Sequence, residues 1–489
     1  MNHSLLPLSS SSKKFRGSIM LLVIIFGGIF FTLLIALSGF VLSENHAQDV
    51  TQQHAVAFNI AEAGLDHYRW YLSHFPGDIT DGTGHPGPYT STYIDPEGSA
   101  LGTYSLSIVG NSACGVIQSI DVTSVGTPSA APTISSTLWA RYAQPSVARY
   151  SMIVNASTWF DGTIFHGPMH SNGGLRMDST QNNAPVTSSL SSWSCDPSFG
   201  CSPTKTVPGI FGTGANQNLW NFPTPQTDFT AIATSFSSLK TIAQTSGLYF
   251  PRISTTQKPY LGYHLLFNGD GTVTVKKVTA VNTSLMSLPV DGSTGFSSTA
   301  RDYSLITSET LLGTYPIPAN CGVIFVEDNA WIEGAVSSKV TLIAANVTTQ
   351  GIYPNIVLPN NLTYTAFDGS AGLTAIASRN ILIGPNTPQN LTLDGIFVAQ
   401  SGAFGRNLYD CSTSAYQYRG TLSMLGTIVS RLRQNNYWIG VCNGGQGSWS
   451  GYPDSKWNFV FDRQNSTNPP PFTPTTSTQW QFIDWLQKQ

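Results

Sequence analysis

Two histidines and two aspartates crowd one short stretch: Asp161, His166, His170 and Asp178, in FDGTIFHGPMHSNGGLRMD. Imidazoles and carboxylates are the donor types that hold a divalent cation. His166 and His170 stand four residues apart, a spacing that shares a face on a helix and on a strand. The string between them is HGPMH, without the glutamate that serves as base in the HExxH metal helix. The glycines of the longer stretch and Asn172 fit turns, in which His170 and Asn172 bond to nearby backbone. The turn reading is preferred. Glu327 and Asp328 form an adjacent carboxylate pair of the kind found in turns. No CxxC, GxSxG or glycine-rich phosphate loop occurs. The expectation is a chain without enzymatic activity, cofactor or metal. Tyr416, Tyr418, Tyr437, Trp438, Trp449 and Tyr452 offer rings that stack on sugars, but such rings serve at least as well as core and loop anchors.

The element that organises the rest lies at the N-terminus. Lys13, Lys14 and Arg16 precede an uncharged run, SIMLLVIIFGGIFFTLLIALSGFVLS, over residues 18–43. About 20 apolar residues suffice to span a bilayer as a helix. The basic residues before the run keep the N-terminus cytoplasmic and export the remainder. No proline occurs between residues 17 and 73, so the helix is expected to continue past the membrane surface and end by about residue 75. In the projecting half, Val50, Ala57, Ala61, Leu65, Tyr68 and Leu72 recur at spacings near three, four or seven. They form one apolar stripe, and such a stripe must pack on something.

Arg16-Gly17 before the apolar run, Gln52-Gln53 and Ala57-Phe58 beyond it, and Ala61-Glu62-Ala63-Gly64-Leu65 together resemble the N-terminal segment of PilX-type minor pilins, over residues 16–72. The resemblance implies a short basic leader, residues 1–17, cut by a prepilin peptidase between Gly17 and Ser18. It also implies a single membrane span and association with other pilin-like subunits and the pilus assembly machinery. Major pilins usually carry glutamate at the fifth residue after the cut, and this chain has Leu22 there. That glutamate offsets a neighbour's ammonium in an apolar filament core, where an unpaired charge is costly. Its absence points to a minor or tip subunit, or to one that never polymerises.

The 489 residues allow two or three domains. Only 10% are charged and the formal net charge is −3, which gives no electrostatic case for nucleic acid. The six cysteines suit an exported chain with disulfides. Cys195 and Cys201 are expected to pair across a small loop and Cys411 with Cys442 across a longer one. Cys114 and Cys321 remain by elimination.

The fold class expected is mainly β with one long N-terminal helix: a small β-sheet unit, then a parallel β-helix-like solenoid, with a β-sandwich as the alternative. Residues 76–100 read as a linker, rich in Gly, Pro and Asp. Residues 101–150 read as a small β unit that covers the helix stripe. Residues 151–450 read as the solenoid, because short apolar strands such as 323–326, 340–344, 373–377, 381–383, 395–399 and 422–429 follow one another with only turn residues between. Residues 179–260 read as an insertion with one helix, 227–243, on the solenoid's side. Residues 451–489 read as a proline-rich linker and an amphipathic cap for the solenoid's open end. Function is expected to be that of a pilin-like structural protein. The alternatives are a membrane-anchored adhesin outside any filament and an exported carbohydrate-active enzyme.

Overall fold

The computed structural model describes residues 18–179, 181–230, 235–293, 300–349, 351–409, 414–439 and 449–488. The leader with Gly17, and the expected Cys411–Cys442 pair, lie outside the described residues. One helix, α1 (Ser18–His74), opens the structure without interruption. At 1.5 Å per residue it is roughly 85 Å long.

Four antiparallel strands follow: β1 (Tyr89–Ile94), β2 (Ala100–Ala113), β3 (Val116–Pro128) and β4 (Ser136–Ala143). They pair in chain order, and a fifth strand, Gln481–Lys488, adds to the free edge of β4. Two expectations are corrected here. Residues 76–100 are more than a linker, because 89–94 supply the opposite edge strand of this sheet. The C-terminal apolar cluster does not cap the solenoid. Its Phe482 ring lies 4.0 Å from that of Tyr142. The unpaired N–H and C=O groups of β4 offer the terminal strand a hydrogen-bond ladder, interrupted by one register shift between Phe482 and Asp484. The solenoid is therefore inserted between the fourth and fifth strands of the small sheet.

The body is a solenoid of parallel rungs, which rules out the sandwich. One continuous ladder runs Leu248–Ile324–Leu342–Ala375–Phe397–Ile428–Met152–Met169–Val186–Trp220, each residue paired in parallel with the next. Most of these side chains are fully buried and form the central core. At one turn an asparagine ladder repeats: the Asn329, Asn355 and Asn380 Oδ1 atoms accept from the N–H groups of Asn355, Asn380 and Ala403, at 2.8, 3.0 and 2.8 Å. Each amide satisfies a turn N–H that the strands cannot reach.

The order of the rungs does not follow the chain. It enters at Met152, in the middle of the column, and winds outward to Trp220 at one end. It then crosses to Leu248 at the other end and winds back to Ile428, against its own starting point. Ten strands at about 4.8 Å make this column roughly 43 Å tall. Two stacks thus meet at a seam. Ile428 N–H donates to Ser151 O and Asn155 N–H to Ser430 O, both at 3.0 Å, and buried Thr158 Oγ1 donates to Gln434 Oε1 at 3.0 Å. The strand Trp457–Val460 is wedged on the adjoining face between Leu422–Leu425 and Ile164–His166. Residues 181–188 and 220–221, expected in an insertion, are rungs of the first stack. The helix expected at 227–243 is α2 (Phe236–Ser246). Its Leu239 and Ala243 pack in one cluster with Val323 and Phe325 on the solenoid's outside.

Candidate functional site: the projecting helix and its sheet

Residues 19–43 of α1 are largely apolar and stand clear of the rest of the protein. Among the described residues one helix is long and apolar enough to cross a membrane, and this is it. Water does not tolerate so continuous an apolar surface, whereas lipid does.

The far half of α1 lies on the sheet. Ala57, Ile60, Ala61, Leu65, Tyr68 and Leu72 are buried against Leu106, Ile120, Val122, Leu138, Ala140 and Tyr142. Val50, the first residue of the expected stripe, is only half-buried and precedes this contact. The Ala-Glu-Ala-Gly-Leu string has a steric reason. A Cβ on Gly126 of β3 would stand 2.2 Å from Ala57 O and 2.4 Å from Ala61 N. A Cβ on Gly64 would stand 2.4 Å from Ser124 Oγ. Helix and sheet backbones touch here, and only small residues on both surfaces allow it. Ala61, Gly64 and Leu65 meet the sheet, Ala63 is half-buried and Glu62 is exposed.

Hydrogen bonds fix the C-terminal end of the helix. The Tyr142 hydroxyl donates to Leu65 O at 3.0 Å inside the interface. Beyond the helix end, Tyr68 OH donates to Asp78 O at 2.7 Å and Tyr71 OH to Asp78 Oδ2 at 2.5 Å. Burial raises the pKa of Tyr68 and of Tyr142. The hydrogen bond to Asp78 raises Tyr71 to about 12. Hydrogen bonds from Thr80 and Tyr71 hold Asp78 below the usual carboxylate range.

Cys114 at the β2–β3 turn is bonded to Cys321 of the solenoid, 207 residues away, and Cys195 to Cys201. Gln118 Oε1 accepts from Phe472 N–H at 2.9 Å beside the first of these bonds.

The structure does not assemble the histidine–aspartate constellation. His170 is buried between Thr187 Oγ1 at 2.8 Å and Asn172 Oδ1 at 2.9 Å, and burial lowers its pKa. Asp178, on a separate three-stranded sheet, accepts from Trp159 Nε1 at 2.9 Å, Arg176 Nε at 2.7 Å and Thr213 N–H at 2.8 Å. Among the described residues no three His, Cys, Asp or Glu side chains are placed to hold a metal ion. Glu327 accepts from Lys240 Nζ and Tyr249 OH at 2.7 and 2.6 Å, and Asp328 from Ile253 and Ser254 N–H at 2.5 and 2.9 Å. Of the six rings named for sugar stacking, Tyr452 is fully buried and Tyr418 is exposed. Sequence reasoning missed Gly126, Gly102 and Tyr142, the sheet's side of the helix contact. A lone glycine in a strand is the signal that marks such an approach.

No family model matches the chain, and no curated protein matches it. Among solved structures it is similar to the competence-associated pilin ComZ from Thermus thermophilus. That likeness is 13% in sequence, covers 89% of this chain and 97% of the other, and has a TM-score of 0.27.

Proposed function

We propose that the protein is a pilin-like structural subunit of a type IV pilus system, minor or tip-located, that displays the solenoid outside the cell. The observation that carries this reading is the single helix: its first half is fit for lipid and its second half is clamped to a sheet through paired small residues. The PilX-like string falls on that clamp. Leu22, where a filament-core glutamate is usual, favours a minor or tip place over a bulk one. In this reading a prepilin peptidase removes residues 1–17, the N-terminus begins in the cytoplasm, and neighbouring pilin-like subunits and the assembly machinery contact α1.

The test is the mature N-terminus. Full-length protein co-expressed with a prepilin peptidase and purified from membranes is expected to begin at Ser18, and Gly17→Leu is expected to block the cut. An uncut chain in both cases removes it from the pilin class. What then stands is a tethered surface protein.

A further inference from the structure

The solenoid carries a groove that no part of the pilin reading uses. It encloses about 380 Å³, within the range of small-ligand sites. The half-buried rings of Tyr260 and Tyr303 stack on one another, centroids 4.4 Å apart and planes 13° from parallel, and line one side of it as a single aromatic slab. Tyr353, at the rim, is 58% exposed. Buried Trp331 closes the floor and donates from Nε1 to Ser304 O at 2.6 Å.

The lining includes planar amide and guanidinium groups that donate. The asparagine ladder runs past the groove, and because Asn355 Oδ1 is taken by the next rung, its Nδ2 is the hydrogen-bonding atom left over. Arg301 is exposed, and Arg379 holds Asp291 at 2.7 Å while its own side chain remains 39% exposed. The three carboxylates at the groove are committed inward. Asp291 also accepts from Asn380 Nδ2 at 2.8 Å. Asp302 accepts from Tyr409 OH at 2.6 Å and Asn407 Nδ2 at 2.9 Å, and Asp328 from two backbone N–H groups. Two guanidinium groups thus stand against three saturated carboxylates, and the groove has no strong field of either sign.

We propose that this groove binds a short neutral oligosaccharide. Flat aromatic faces beside planar amide and guanidinium donors match a sugar ring, which is apolar on its C–H face and a hydrogen-bond partner around its rim. A charged ligand gains little from Asp291 and Arg379, which neutralise one another. The site belongs to the solenoid alone and does not depend on whether α1 enters a filament.

The test uses the full chain in lipid nanodiscs, which avoids detergents with sugar headgroups. Calorimetric titration is run with neutral trisaccharides of glucose, galactose and N-acetylglucosamine, and with trigalacturonate. Saturable binding of at least one neutral trisaccharide is expected. Tyr353→Ala and Arg301→Ala, both at exposed positions, are expected to weaken it tenfold or more with the unfolding temperature unchanged. Failure of every neutral trisaccharide to bind, or binding of trigalacturonate alone, overturns the proposal. Binding that survives both substitutions overturns the placement at this groove.

Discussion

The helix–sheet unit and the solenoid bury apolar surface by opposite means. The unit relies on one close approach, Ala57 and Ala61 of α1 against Gly126 and Gly64 against Ser124, both of β3, so a few atoms decide whether it forms. The solenoid repeats one contact along a column, spreading its core over ten rungs whose side chains range from Ala375 to Phe397. In both, a segment from far along the chain completes the structure: residues 481–488 close the sheet, and residues 152–221 extend the column begun at 248. The difference teaches where each region is vulnerable. The unit fails at its tightest point, and the solenoid at its largest side chains.

The largest effect is expected inside the column. Phe397 is fully buried between Ala375 and Ile428. Phe397→Ala is expected to cost about 3–5 kcal/mol, read by denaturant unfolding. The same substitution at exposed Phe367 is expected to change little. Equal costs at the two sites would deny that the column is the core.

Next comes the covalent tie between the two regions. The Cys114→Ser, Cys321→Ser double variant is expected to lose about 2–4 kcal/mol. The helix–sheet unit and solenoid should then unfold in separate steps by calorimetry. A single unchanged transition would show that the non-covalent contacts suffice.

The close approach should be sensitive to a single carbon. Gly126→Ala is expected to cost about 1–3 kcal/mol by forcing sheet and helix apart. Proteolysis should then cut α1 sooner near residue 57. A neutral result would mean that the helix sits farther from the sheet than described.

The smallest effect is a dependence on pH. His264 lies with Nδ1 2.8 Å from Glu309 and Nε2 3.0 Å from Glu333, joining three strands. Burial opposes its charge, but hydrogen bonds to Glu333 and Glu309 outweigh burial and raise its pKa. Both carboxylates accept, so both ring nitrogens donate only as imidazolium. The stabilisation is complete below the unfolded pKa, near 6.5, and is lost as pH rises through the higher folded value. Stability is expected to fall by about 1 kcal/mol between pH 6 and pH 9, and His264→Gln to remove that slope. An unaltered slope would assign it elsewhere.

Much of this was legible from residue types. The 3.6-residue stripe from Ala57 to Leu72 marks the face of α1 that is buried. The short apolar runs at 323–344 and 373–399 mark rungs. Strand pairing across long separations leaves no local trace. Nothing in 152–188 says that it stacks after residue 430, and nothing in Phe482 says that its partner is Tyr142, 340 positions earlier. Asn329, Asn355 and Asn380 are each ordinary turn residues, and only their stacking makes a ladder. The groove at Tyr260, Tyr303 and Tyr353 joins three loops and is invisible to any sequence window.

The direct test of the rod concerns its middle. Spin labels at Leu42→Cys and Asp66→Cys lie on the lipid side and the sheet side of residues 43–56. Dipolar spectroscopy of the full chain in nanodiscs is expected to give one narrow distribution near 36 Å, the span of 24 residues at about 1.5 Å each. A broad distribution centred well below that would show a helix broken at the membrane surface and would contradict the account.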